Sequence, residues 1–207
     1  MIGSGNNGGD ALIALRKLSE EGWRVSAYLV KERHPNDDLV LNLEELKCNM
    51  LNVGEDTKYK NLIEIINDAD LVLDGILGTG IKLPLKNIVS EVLQVISRID
   101  KKPDIVAVDC PSGVDCVSGE ASKDTLRADL TVCIEAVKNG LLKFPAFEYV
   151  GKIITVEIGL PEDLSEISNI HGFVVDHEMA QGALPIRPLT AHKGTFGKCM
   201  IVGGSIN

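Results

Sequence analysis

The chain is poor in aromatic residues: Phe, Trp and Tyr together make up 4% of it, with a single Trp. Its core must therefore be built from Ile, Leu and Val. No apolar run reaches the ~18 residues needed to span a bilayer. The first residues, MIGSGNNGG, hold neither a basic stretch nor an apolar run, so no signal peptide is predicted. Positive charge is also scarce, with 21 Lys and Arg against 30 Asp and Glu and a net charge of −9. That balance excludes generic nucleic-acid binding, which needs a basic surface. There is no CxxC pair, and the five cysteines, Cys48, Cys110, Cys116, Cys133 and Cys199, are odd in number. They read as buried, reduced thiols of a cytoplasmic protein rather than as disulfides or a metal site. The four histidines, His34, His171, His177 and His192, all lie outside the glycine-rich loops, and Asp-His-Glu at 176–178 is too short a cluster for a metal centre.

What remains is 207 residues, 44% hydrophobic and 25% charged, enough for one sizeable α/β domain or one domain and a fragment of another. Apolar residues at helical spacing predict helices over DALIALRKLSEEG (with Leu12, Ile13, Leu15 and Leu18), NDDLVLNLEELKCNM, KYKNLIEIINDAD (burying Leu62, Ile63, Ile65 and Ile66) and KNIVSEVLQVISRID. Between them WRVSAYLV, LVLDGIL, DIVAVDCPSG, LTVCIEA and KIITVEIGL read as strands that are apolar throughout. Strands alternating with helices in this way predict a doubly wound, mostly parallel α/β sheet covered on both faces. Such sheets bind ligands beyond the carboxyl ends of their strands.

Four polar loops follow strand ends or precede helices. GSGNNGGD, residues 3–10, packs four glycines, two asparagines and an aspartate in front of the first helix. Its glycines allow close backbone approach, and amides at a helix start bind anions. It lacks the dinucleotide GxGxxG register and the P-loop lysine. Asp10 is either a helix N-cap or a ligand contact. The second loop, GILGTGIKLP, offers the same physics with Lys82 adding charge, or it is a turn whose glycines serve geometry alone. Asp74 and Asp109 each lie in an apolar run, where a carboxylate is costly unless it is hydrogen-bonded, paired or on a cation. Each either shapes a loop through backbone amides, or one binds a cation while the other is an acid/base group. Ser112 stands in a Pro-Ser-Gly turn without the GxSxG context, so a ligand or cation contact is expected there, not a nucleophile. EAVKNG at 135–140 is the fourth and weaker loop.

GSGNNGGD, LDGILGTG, AVDCPSGVDCVSGE, ADLTV and GKIITVEIGLP, in this order and spacing, resemble the YjeF N-terminal domain, the NAD(P)H-hydrate epimerase family, over about residues 1–162. The stretch LPIRPLTAHKGTFGKCMIVGGS, 184–205, resembles the opening strand and loop of the ribokinase-like, ADP-dependent NAD(P)H-hydrate dehydratase, with residues 163–183 as linker. The resemblance implies a Rossmann-like fold truncated at both ends. Only Met1 and Ile2 would remain of the first strand, leaving neighbouring backbone groups unpaired.

The resemblance further implies an isomerase that interconverts the R and S hydrates of NADH and NADPH. Dehydration, and with it ADP or ATP, would belong only to the longer fusion. It implies substrate contacts from Asn6, Asn7, Gly8, Gly9 and Asp10, from Gly78, Thr79, Gly80, Ile81, Lys82, Leu83 and Pro84, and from Asp109, the acid/base residue. A potassium ion would be held by Asn7, Asp74 and Ser112, and a homodimer is expected. The alternative is a non-catalytic ligand-binding or scaffold module of the same fold. The sequence departs from the family at Leu83, where Arg is common, which leaves NADH-hydrate against NADPH-hydrate open. It departs also at Val137, where Pro often precedes the lysine that is Lys138 here.

Overall fold

The computed structural model describes residues 1–34, 36–100, 103–161, 164 and 172–203. The chain separates into two units, Met1–Pro161 and Glu162–Asn207. In the first, helices and strands alternate: α1 (Asn6–Glu20), β1 (Ser26–Leu29), α2 (Asp38–Glu45), β2 (Asn49–Asn52), α3 (Lys60–Asp68), β3 (Leu71–Asp74), α4 (Asn87–Ser97) and β4 (Asp104–Val108). Then come β5 (Leu130–Ile134) and β6 (Lys152–Val156), joined by a long segment with 3-10 turns at Asn139–Leu142 and Ala146–Glu148. Every strand pair is parallel. β1 pairs with β2, and β3, β4, β5 and β6 form a sheet in that order.

Residues 1–3 join the two sheets. Ile2 bridges Leu29 on one side and Gly75 on the other, both in parallel. Ile2 N donates to Tyr28 O at 2.8 Å and Val30 N to Ile2 O at 2.9 Å, while Gly3 N donates to Gly75 O at 3.1 Å and Gly75 N to Met1 O at 3.0 Å. The expected unpaired backbone is thus satisfied at the upper end of the seam. Lower down, Val25 and Tyr28 on one side and Leu71 and Leu73 on the other line a cavity of 1140 Å³.

Alternation along the strands sorts the core into two layers. Tyr28, Val72, Ile105 and Ala107 pack with Leu62 and Ile66 of α3 and Val92, Leu93 and Ile96 of α4. Ile2, Ala27 and Leu29 pack with Leu12 and Leu15 of α1 and Leu43 of α2. Helices therefore cover both faces, as the doubly wound reading requires. A third cluster sets Cys133 of β5 with Cys110, Cys116 and Leu141 from the loops above.

Several local expectations change. Ile13 (54% exposed) and Ile63 (38%) face solvent, the outer limits of their helices' apolar stripes. α2 ends at Glu45, so Asn49 and Met50, expected as the helix's tail, instead open β2 (Asn49–Asn52); Lys47, at a left-handed φ of 56°, turns the chain between them. β6 is mostly exposed because it is the edge strand of its sheet.

The second unit contains α5 (His177–Ala183), N-capped by the Asp176 carboxylate, which accepts from Met179 N at 2.8 Å. α5 falls where a linker was expected. The expected strand KCMIVGG does not form within residues 198–203; Met200, Ile201 and Val202 are 86%, 88% and 87% exposed. A lone strand has no ladder to satisfy its amides. Cys199 is accordingly exposed rather than buried. His171 lies outside the described residues. Among the described residues no helix is long and apolar enough to cross a membrane.

Candidate functional site

The carboxyl ends of β3, β4 and β5 and the start of α1 meet at one rim. α1 begins at Asn6, with Gly5 as N-cap and no side-chain cap. The stretch NNGGD is therefore helical rather than a loop, and Asp10 lies beyond the first turn, so it is not the N-cap. Two glycines explain how the helix start fits. A Cβ on Gly8 would stand 2.1 Å from Gly3 O, and one on Gly75 2.4 Å from Ala11 Cβ. Gly8 lets α1 close against the Gly3 backbone, and Gly75 lets Ala11 of α1 approach the exit of β3.

That contact turns Asn7 toward the loop after β3. Asn7 Nδ2 donates to Leu77 O at 2.8 Å, and Leu77 N donates to Ser112 Oγ at 2.9 Å. Ser112 Oγ donates to Asp74 Oδ1 at 2.6 Å, and Ser112 N to Asp74 Oδ2 at 2.8 Å. Asn7, Asp74 and Ser112, separated by up to 105 residues, thus form one buried cluster. Burial pushes the Asp74 carboxyl up, and the hydrogen bonds from Ser112 and Ile76 work against that rise. Asn7 Oδ1 is buried without a hydrogen-bond partner. An oxygen acceptor left open beside a buried carboxylate and a hydroxyl is the donor chemistry of a hard cation such as potassium.

Asp109 lies one residue past β4, at φ 65°. Its N–H donates to Val132 O, and Cys110 N donates back to Val108 O, both at 2.8 Å. This is a γ-turn centred on a positive-φ residue, a rare and strained turn. It sends the side chain across the end of β5. Asp109 Oδ1 accepts from Ile134 N at 3.0 Å and from Lys138 Nζ, which also donates to Ile134 O at 2.9 Å. The pair is partly shielded, the side chains being 22% (Lys138) and 15% (Asp109) exposed. Asp10 belongs to the same group: burial, then the charge of Asp109, pushes its carboxyl up.

The GTG loop is only partly in this group. A Cβ on Gly78 would come 3.1 Å from Asn7 Cβ. Thr79, Gly80, Lys82 and Pro84 are exposed, and Ile81 and Leu83 half-buried. Six residues separate Gly80 from α4, whose N-cap is Lys86, so this loop is not a helix start. Leu83 and Pro84 line a separate cavity of 550 Å³ with Ser90, Gln94 and Asp124.

Arg33 went unnoticed in the sequence. Its Nε donates to Asp37 Oδ2 at 2.7 Å, and its Nη1 to the carbonyls of Gly3 at 2.7 Å and Gly5 at 3.1 Å. It clamps the turn that launches α1. Lying in a charged stretch, KERH, it carried no signal of that contact. Nor did Glu135, held at φ 63° beyond β5.

A bifunctional NAD(P)H-hydrate repair enzyme of Dictyoglomus turgidum is 32% identical over 99% of this chain and 39% of its own length. One of Archaeoglobus fulgidus is 35% identical over 98% of this chain and again 39% of its own. The chain thus spans about two-fifths of the curated relatives it matches. The crystal structure of yeast ynu0, YNL200c, aligns with a TM-score of 0.65 over 84% of this chain and 72% of that one, at 22% identity, a likeness of fold. Residues 1–140 match the model of the YjeF-related protein N-terminus, and the chain belongs to that family.

Proposed function

We propose that residues 1–162 act as an NAD(P)H-hydrate epimerase, an isomerase that interconverts the R and S hydrates of NADH and NADPH. Residues 163–183 and 184–207 are read as linker and as the start of an ADP-dependent dehydratase. The relatives named for repair of this substrate align along nearly the whole chain, tail included, which supports the reading. The single observation that carries the chemistry is the Asp109 carboxylate, turned over the end of the sheet and paired with Lys138. Its Oδ2 has no partner among the described residues and is free to take a proton from bound substrate. The amides of Asn6 to Asp10 at the start of α1 suit the phosphates of a dinucleotide. Gly78, against Asn7, is the part of the Gly78 to Pro84 loop that lies closest to this start.

Asn7, Asp74 and Ser112 would hold a potassium ion, which when bound supplies positive charge beside those phosphates. The open Asn7 Oδ1 supports that assignment.

The test is the rate at which R-NADH-hydrate becomes S-NADH-hydrate, followed by chromatography with and without potassium. The expected result is a rate well above the spontaneous one, dependent on potassium and lost in Asp109→Ala. A spontaneous rate at saturating potassium rejects the reading.

A further inference from the structure

The start of α1 is short of hydrogen bonds. Its N-cap, Gly5, offers no side chain, and among the described residues no acceptor takes the amides of Asn6, Asn7 and Gly8. Such donors, at the positive end of a helix, favour an anion. In the same turn Asn7, 7% exposed, keeps Oδ1 without a partner. The turn thus offers an open acceptor to a cation and open donors to an anion.

Arg33 adds a charge to those donors. It lies four residues past β1, at the carboxyl ends of the strands, where sheets of this kind bind ligands. Its side chain is only 11% exposed and is fixed at two nitrogens. Nε donates to Asp37 Oδ2 at 2.7 Å, and Nη1 to Gly3 O at 2.7 Å and Gly5 O at 3.1 Å. Nη2, the third nitrogen, has no partner among the described residues. It lies beside α1: a Cβ on Gly9 would stand 3.7 Å from it. The glycine keeps side-chain atoms off that edge of the guanidinium.

Asp37 does not cancel this charge. It is the N-cap of α2, and its Oδ1 accepts from Leu39 N at 3.0 Å, so its carboxylate also serves the positive end of that helix. Lys138, by contrast, is committed to Asp109. Lys82 is exposed on the GTG loop, where holding an anion would first cost the freedom of its long side chain. A guanidinium already held in place, with one edge open, binds an anion without that cost.

We propose that Arg33 is a substrate-binding residue whose Nη2 edge, with the free amides of Asn6, Asn7 and Gly8, receives the diphosphate of the hydrated dinucleotide. The inference rests on the epimerase reading and adds to it a residue that neither the family match nor the relatives' names assign. The contacts with Gly3, Gly5 and Asp37 hold the guanidinium, and the diphosphate takes what they leave open.

The experiment measures KM and kcat for R-NADH-hydrate and R-NADPH-hydrate, for the 207-residue chain and for Arg33→Met, Arg33→Gln and Arg33→Lys. Potassium is held constant and sodium chloride is varied. Arg33→Gln keeps a donor for Gly3 O and loses the charge, whereas Arg33→Lys keeps the charge. Arg33→Met and Arg33→Gln are expected to raise KM for both substrates about tenfold or more, with kcat within about threefold, and Arg33→Lys to recover part of the loss. The wild-type KM should climb with salt more steeply than that of Arg33→Met. If Arg33→Met does not fold, Arg33→Gln against Arg33→Lys carries the same comparison. An Arg33→Gln chain with the wild-type KM, or variants that lose kcat at unchanged KM, would show a clamp alone and overturn the proposal. A rise in KM confined to NADPH-hydrate would put the guanidinium on the 2′-phosphate and overturn the diphosphate assignment. A wild-type rate no faster than the spontaneous one overturns the epimerase reading and this inference with it, whereas a fast wild type with unaffected variants overturns this inference alone.

Discussion

β4 and β5 end in the same way and lead to different chemistry. Each strand is followed by an acidic residue at positive φ, Asp109 at 65° and Glu135 at 63°. Each makes the same three-residue turn, closed by Cys110 N to Val108 O and by Ala136 N to Ile134 O, both at 2.8 Å. Each carboxylate then reaches the next strand's end: Asp109 accepts from Ile134 N at 3.0 Å and Glu135 from Ile158 N at 2.9 Å. The backbone strain is therefore shared, and strain alone does not make a catalytic group. The neighbours differ. Asp109 pairs with Lys138, and three residues on Ser112 joins the cluster of Asn7 and Asp74. Glu135 meets a backbone amide beyond the edge strand. One turn aims an acid into a polar crevice, and its twin ties down an edge.

The strongest way to break this comparison is to exchange the acids' fates. Asp109→Ala should cost epimerisation on the order of 10²- to 10⁴-fold, the range for a general acid–base group, measured as kcat/KM on R-NADH-hydrate. Next in size is the loss of the cluster proposed to hold a cation. Replacing potassium by tetramethylammonium, or Ser112 by Ala, should lower activity together with the melting temperature, because the buried Asp74 carboxyl then has fewer partners. A melting temperature indifferent to potassium would contradict the cluster's role. Smaller still, Glu135→Gly should leave epimerisation intact and change stability by less than about 1 kcal/mol, since relief of the positive φ is offset by loss of the Ile158 hydrogen bond and by glycine's greater freedom in the unfolded chain; urea unfolding measures it.

The smallest effect concerns the turn before α1. Burial works against the Asp37 carboxylate, but the hydrogen bonds from Arg33 and from the Leu39 and Val40 amides hold it below its ordinary value. A depressed acid stabilises fully above its unfolded pKa, and that contribution is lost as pH falls through the folded value. Melting curves from about pH 5 down to about pH 3 should show the wild type losing stability that Asp37→Asn does not have to lose.

Much of this was legible in the chain itself. Apolar runs such as DIVAV and LTVCI, alternating with amphipathic helices, announce a parallel sheet covered on both faces, and Asp74 and Asp109 interrupt such runs where a strand must end. The backbone angles were not legible. Nothing in AVDCP says that Asp109 takes a positive φ, since a non-glycine residue there is chosen by its neighbours rather than by its own preference. NNGGD looks like a loop because glycine and asparagine favour loops, whereas within α1 the glycine at 8 is needed because a Cβ there would strike Gly3 O. β2 was hidden because Cys48 and Met50 continue the apolar spacing of α2. Arg33 and Lys138 act across 30 and 29 residues, distances at which spacing carries no information.

The measurement that tests the account most directly sets the two turns side by side: epimerisation of R-NADH-hydrate by Asp109→Asn and by Glu135→Gln under identical potassium. Both changes keep shape and remove one charge. The account predicts that the first is slowed on the order of 10²-fold or more and the second less than about threefold. Equal losses in the two, or none in Asp109→Asn, would contradict it.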